Sequence, residues 1–134
     1  MNRLVRGARY DQHASTMNLA PIHRHFGELL LVLPVVVILV ALFKGKTVLP
    51  RIVAVLLDVQ LVLGAVTFAI QSKVASIPHI LCMVAAIALA HVFAKRENQA
   101  QVAAGFAGVL ALIVVGYLFQ KNILPDAGLR WDIR

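Results

Sequence analysis

The sequence predicts an all-α fold, an integral-membrane four-helix bundle of up-down-up-down topology. Of its 134 residues, 60% are hydrophobic and only 14% charged, whereas a soluble domain carries about 45–50% apolar and about 25% charged residues. Four apolar segments recur, Phe26 to Phe43, Ile52 to Ile70, His79 to Ala94 and Val102 to Phe119, each near the roughly 17–25 residues that cross a hydrocarbon core of about 30 Å. Short charged or turn-forming runs separate them, which makes consecutive helices antiparallel neighbours.

The helices are expected at about residues 21–43, 51–71, 75–95 and 101–119, one domain between a polar tail, 1–20, and an interfacial tail, 120–134. The first tail carries Arg3, Arg6, Arg9, Tyr10, Asp11 and His13 and has neither a helical apolar stripe nor the apolar run of a secretory signal. Asn18 is a candidate cap for the first helix, Pro21 suits its first turn, and Pro34 should kink it. His23 and His25 differ by about 200° around that helix, so only one can face the bundle. His23 shares its face with Gly27, Leu30 and Pro34, and His25 with Glu28, Leu29 and Val32. A glycine one turn from His23 leaves room for a flat macrocycle, which favours His23 as the inward residue.

Lys44-Gly45-Lys46, with Pro50 and Arg51, closes the first loop. On the second helix Gln60, Gly64 and Thr67 form one stripe, with Gln71 a turn on. Such a face suits close helix approach and interhelical hydrogen bonds, and equally a polar contact to a bound cofactor. Asp58 is an acid inside the segment and needs a partner; Arg51, Lys95 and Arg96 are the candidates. The second turn is Ser72 to Pro78, after which His79, Met83, Ala86 and Ala90 make one stripe of the third helix. His91 lies about 18 Å along the axis from His79, too far to share a metal with it, and is expected near the opposite interface, hydrogen-bonded to the second helix. The fourth helix is read as scaffold, with Ala104 and Gly108 as a small-residue pair for close packing. Trp131 and the nearby Arg residues suit an interfacial anchor.

The formal charge of +7 comes from Lys and Arg scattered at segment ends, which fits membrane anchoring; no basic helix or aromatic platform suggests nucleic acid as a partner. Eight of these cations, Arg3, Arg6, Arg9, Arg24, Lys73, Lys121, Arg130 and Arg134, fall on the side of the termini, and five, Lys44, Lys46, Arg51, Lys95 and Arg96, on the other. The raw count favours both termini in the cytoplasm, whereas the five sit at higher density in two short loops, where positive charge is best retained inside; the orientation in a bacterial-type cytoplasmic membrane is left open, with termini outside favoured. The single Cys82 excludes an internal disulfide. Cys-x-x-Cys, His-Glu-x-x-His, a phosphate loop and a nucleophile elbow are all absent, which excludes the corresponding zinc, nucleotide and hydrolase readings.

Haem b is the cofactor that remains. A b-type iron takes two imidazoles from facing helices, and a slot opened by small residues holds the macrocycle. Histidines at the start of the first and third helices stand at one membrane face, which nominates His23 and His79 as metal ligands, with His25 the alternative to His23, and Gly27, Gln60, Gly64 and Met83 as cofactor-binding neighbours. Measured to the charged end of each helix, His23 is about 31 Å from Lys44 and His79 about 24 Å from Lys95 at about 1.5 Å per residue. Helix tilt of up to about 40° absorbs the difference of about 7 Å.

The runs PIHRHFGELL, DVQLVLGAVTF and SIPHILCMVAAIALAH resemble the repeating unit of the haem A synthase family, in which a His-Arg begins one helix, a Gln-x-x-x-Gly segment makes the next and a histidine opens the third. They are also similar to small four-helix cytochrome b-like membrane proteins of bacteria. The resemblance covers roughly residues 21–94. It implies a four-helix bundle holding haem b between His23 and His79, with Gln60 and Gly64 as packing positions. The family has two such halves and an acid before the His-Arg, whereas this chain has one half and Glu28 after it, so the resemblance points to a one-haem bundle rather than to haem hydroxylation. The expected role is electron transfer as a small subunit of a respiratory or photosynthetic complex, with the lipid bilayer and a larger membrane complex or a homo-oligomer as partners. A structural accessory subunit without cofactor and a compact haem A synthase-like enzyme are the competing readings.

Overall fold

The computed structural model describes residues 18–72, 74–125 and 128–132, with residues 71, 72, 74, 131 and 132 described by backbone alone. The Arg-rich stretch before Asn18 and the Trp131 side chain therefore lie outside the described residues.

Helix α1, Leu19–Phe43, starts where the Asn18 side chain accepts the Ala20 N–H at 3.3 Å. It runs unbroken through Pro34 and buries Leu30, Pro34, Val37 and Ala41, residues three and four apart that line one face. The Gly45 N–H reaches the Val40 carbonyl at 3.2 Å, and its left-handed φ of 82° then turns the chain out of the helix. Helix α2, Leu49–Thr67, follows at once, with Thr47 accepting the Leu49 N–H and Pro50 in the first turn. It continues into one π-helical turn, Phe68–Ser72. Strand β1, Val74–Ser76, leads into α3, Ile77–Phe93, and Asn98 caps α4, Gln99–Gln120, by accepting the Ala100 and Gln101 N–H groups. After α4 the chain reverses through Asn122 at φ 57°, while the Asn122 and Ile123 N–H groups satisfy the Phe119 and Leu118 carbonyls, a Schellman ending in which asparagine replaces glycine. Strand β2, Arg130–Asp132, then pairs antiparallel with β1.

Each helix packs on its neighbours in sequence, and α4 closes the ring on α1. The order places α1 and α3 on one diagonal of the bundle. Phe106, Val109 and Ile113 of α4 fill the centre against Leu30 and Val37 of α1, Val53 and Leu57 of α2, and Ala86 and Ala90 of α3. The outward faces stay apolar, with Leu29, Val32, Ile52, Val55, Val62 and Leu81 all exposed. A helix apolar all round is a core or membrane element, and α1, α2 and α4 are long and apolar enough to cross a bilayer. The four-helix membrane bundle predicted from composition and segment spacing is thus the observed fold.

Several boundaries differ. Helix α3 begins at Ile77 rather than near Ala75 and has 17 residues, because Val74–Ser76 are drawn into the ribbon with β2, in register Ala75 to Trp131. Residues 128–132 are accordingly held against the start of α3; the Leu129 carbonyl accepts the Ile77 N–H at 3.0 Å, one of the donors that a helix start leaves unpaired. Helix α2 begins two residues earlier than expected, at Leu49, since Pro50 opens the helix rather than closing the loop. Ala104 is exposed, and the close approach of α4 to α3 is made by Gly105 against Phe93 and by Gly108 against Leu89.

Candidate functional site

At the end of the bundle that holds the start of α3, two adjoining cavities of about 350 and 280 Å³ open between the helices. Both are lined by His23, Gln60, Thr67, His79, Met83 and Gln120, so they are two parts of one slot. The first is apolar and follows the seam between α2 and α3 past Gly64, Leu57 and Ile87. The second opens between α1 and α4 and adds Gly27, Arg24, Tyr117 and Lys121. The larger part alone lies in the range of about 300–1,000 Å³ usual for ligand pockets.

His23 is seated by α2. A Cβ on Gly64 would stand 2.9 Å from its Cε1, so only glycine lets the imidazole lie there. The Gln60 amide donates to the His23 carbonyl at 2.9 Å, and Gly27 is what admits that amide, since a Cβ there would meet Gln60 Nε2 at 2.8 Å. Gly27 thus makes room for Gln60 and also lines the second cavity. His23 Nδ1 and Gln60 Oε1 are buried without a hydrogen-bond partner among the described residues. Buried polar atoms are nearly always paired, and these two belong to residues that line the slot.

His79, on the diagonal helix, donates Nδ1–H to the Gly116 carbonyl at 2.8 Å. A carbonyl only accepts, so this bond assigns the tautomer and leaves the lone pair on Nε2. Gly116 lets α4 approach α3 closely there, since a Cβ would stand 2.6 Å from Met83 Cε and 3.1 Å from Cys82 Cβ. Sequence reading made α4 scaffold and missed this role; the one signal available was the glycine itself. Thr67 lines the slot but gives its hydroxyl to the Leu63 carbonyl at 2.7 Å, a bond inside α2.

His25 stands apart, its side chain 74% exposed and bonded to Glu28 at 3.3 Å. Arg24 Nε donates to the same carboxylate at 3.2 Å. Asp58 and His91 are also outside the slot. The partner of Asp58 is His91, whose Nε2 lies 2.9 and 3.1 Å from the two carboxylate oxygens, rather than Arg51, Lys95 or Arg96. Arg51 is two turns away on the same helix, whereas His91 stands on the helix packed alongside. The expected bond from His91 to the second helix is present. Interhelical hydrogen bonds in membranes are worth about 0.6 kcal/mol on average, so Asp58→Ala and His91→Ala should each lower the melting temperature in detergent slightly. The double variant should lose no more than the larger single loss, and a strictly additive loss would show the pair to be energetically uncoupled.

Among the described residues no three of His, Cys, Asp and Glu converge to hold a bare metal ion. Comparison of the chain with models of protein families, with curated proteins and with solved structures gives no match.

Proposed function

We propose that the chain is a haem b-binding membrane protein that carries electrons, in which His23 and His79 would hold the haem. The observation that supports this reading is the pair of imidazoles on diagonal helices lining one slot, His23 with an unpartnered Nδ1 and His79 with Nδ1–H committed to Gly116. Two neutral imidazoles are one donor set by which a protein can hold haem iron. Gly64 leaves no side chain where the His23 ring sits, and the two imidazoles with the apolar lining of the slot fit the group.

Bound there, haem would supply a one-electron couple. The protein's own part is to hold and insulate it. The Gly116 carbonyl orients the His79 ring and strengthens it as a donor, as partners of ligating histidines commonly do. Gln60 ties the turn bearing His23 to α2. Leu57, Leu61, Ile80, Met83 and Ile87 give the slot a dry wall, and a low-polarity shell of this kind controls solvent access and redox potential. The proposed setting is a small subunit of a respiratory or photosynthetic complex in a bacterial cytoplasmic membrane.

The paired histidines of α1 provide the test. His23→Ala should lose haem, whereas His25→Ala should retain full stoichiometry, because His25 reaches only Glu28 outside the slot. Haem titration of the two purified variants reads this directly. Loss confined to His25→Ala would remove His23 from the site.

A further inference from the structure

We infer that Arg24 and Lys121, at the rim of the second cavity, hold the carboxylate arms of the ligand whose flat apolar body lies in the first. The inference rests on the haem reading for the identity of that ligand and adds the part of the chain that recognises its anionic edge.

The two cavities share both histidines yet differ in chemistry. Leu57, Leu61, Ala65 and Ile80 wall the first, and the second adds two cations and the Tyr117 phenol. Arg24 lies in the second turn of α1 and Lys121 caps the end of α4; α1 and α4 pack together, so both cations stand at one end of the bundle. Ala20 of the first turn of α1 also lines this cavity, which adds the positive end of that helix dipole. Glu28 is the acid on the rim, and it is already bonded to both Arg24 and His25. Arg24 uses Nε for that bond, and among the described residues its terminal nitrogens have no bonded partner. The Lys121 ammonium lies 5.4 Å from the Tyr117 ring centre, without a carboxylate partner among the described residues. Spare cationic donors at one edge of an apolar slot suit an amphiphile with an anionic edge, and iron protoporphyrin carries two carboxylates on one side of its ring. Hydrogen bonds between ionised groups are about twice as strong as neutral ones. Phosphate headgroups of lipids offer the same anionic chemistry at this depth, so the experiment separates the two sources.

The full-length apoprotein in phosphatidylcholine nanodiscs is titrated with haem and with haem dimethyl ester, which has the same ring and iron but no carboxylates. Wild type should bind haem about tenfold or more tightly than the ester, the ratio expected for one charge-assisted contact. The Arg24→Gln/Lys121→Gln variant should bind both with equal affinity and keep the spectrum of wild type; because the ratio is taken within each variant, a general loss of fold does not imitate it. Equal binding of both by wild type would overturn the inference and leave the histidine site standing. A preference that persists in the double variant would also overturn it, by putting the carboxylates elsewhere. If neither porphyrin binds, the haem reading and this inference fall together. Nanodiscs containing phosphatidylglycerol form the second arm: if the substitutions weaken retention of that lipid but leave the haem preference unchanged, the two cations serve the membrane and the inference is wrong.

Discussion

His79→Ala is expected to bind no haem while keeping a helical, monodisperse bundle. The substitution removes a proposed haem ligand and, with it, the bond to the Gly116 carbonyl. The Gly116 carbonyl lies inside α4 and keeps its place in that helix's own ladder, and α3 keeps Ala86 and Ala90, both fully buried against its neighbours, so the loss should not unfold the chain. Added imidazole should restore the absorbance, because the substitution leaves a space of the right shape beside Gly116 and the free base supplies the missing nitrogen. Unchanged haem stoichiometry in the variant would remove His79 from the site. Loss without rescue, accompanied by aggregation, would instead make His79 a packing residue.

Gly64→Leu should be the most damaging substitution on α2. A Cβ alone would stand 2.9 Å from His23 Cε1, and the rest of a leucine side chain has only the slot to occupy. Overpacking of this kind costs about 1–3 kcal/mol, here applied to the contact between α1 and α2 on which the ring position depends. Leu63→Ala, one residue away, trims a half-buried side chain and should melt close to wild type. Haem content should follow the same order, absent in the first variant and full in the second. If melting in detergent shows the reverse order, the buried face of α2 has been assigned wrongly.

The features legible in the sequence are those set by residues near one another along the chain. Helix periodicity allows only one of His23 and His25 to face inward and Gly27 favours His23; in the structure Leu30 and Pro34 on the His23 face are buried while Leu29 and Val32 on the other are exposed. Asn18 as a cap and the inward stripe of Ala86 and Ala90 follow from equally local rules. The stripe of Gln60 and Gly64 was visible in the same way, but not what each residue meets. Gln60 finds the His23 carbonyl and His79 finds Gly116, in both cases 37 residues away. Such pairings depend on how helices rotate and slide against one another, which a stripe does not specify. Asp58 shows the same limit: charge pointed to Arg51, Lys95 and Arg96, whereas the ring order of the helices supplied His91. The β-ribbon was hidden for a related reason. Its two strands are three residues each and join the start of α3 to the far end of the chain, too short for an alternating pattern and set by a long-range pairing.

A reduced-minus-oxidised absorbance spectrum of the protein, purified from cells supplied with haem, tests the central claim most directly. The account predicts the sharp bands of a six-coordinate b-type haem at one haem per chain, lost in His23→Ala and in His79→Ala and retained in His25→Ala. A flat difference spectrum from folded, haem-supplied protein, or bands that survive both the His23 and the His79 substitution, would contradict it.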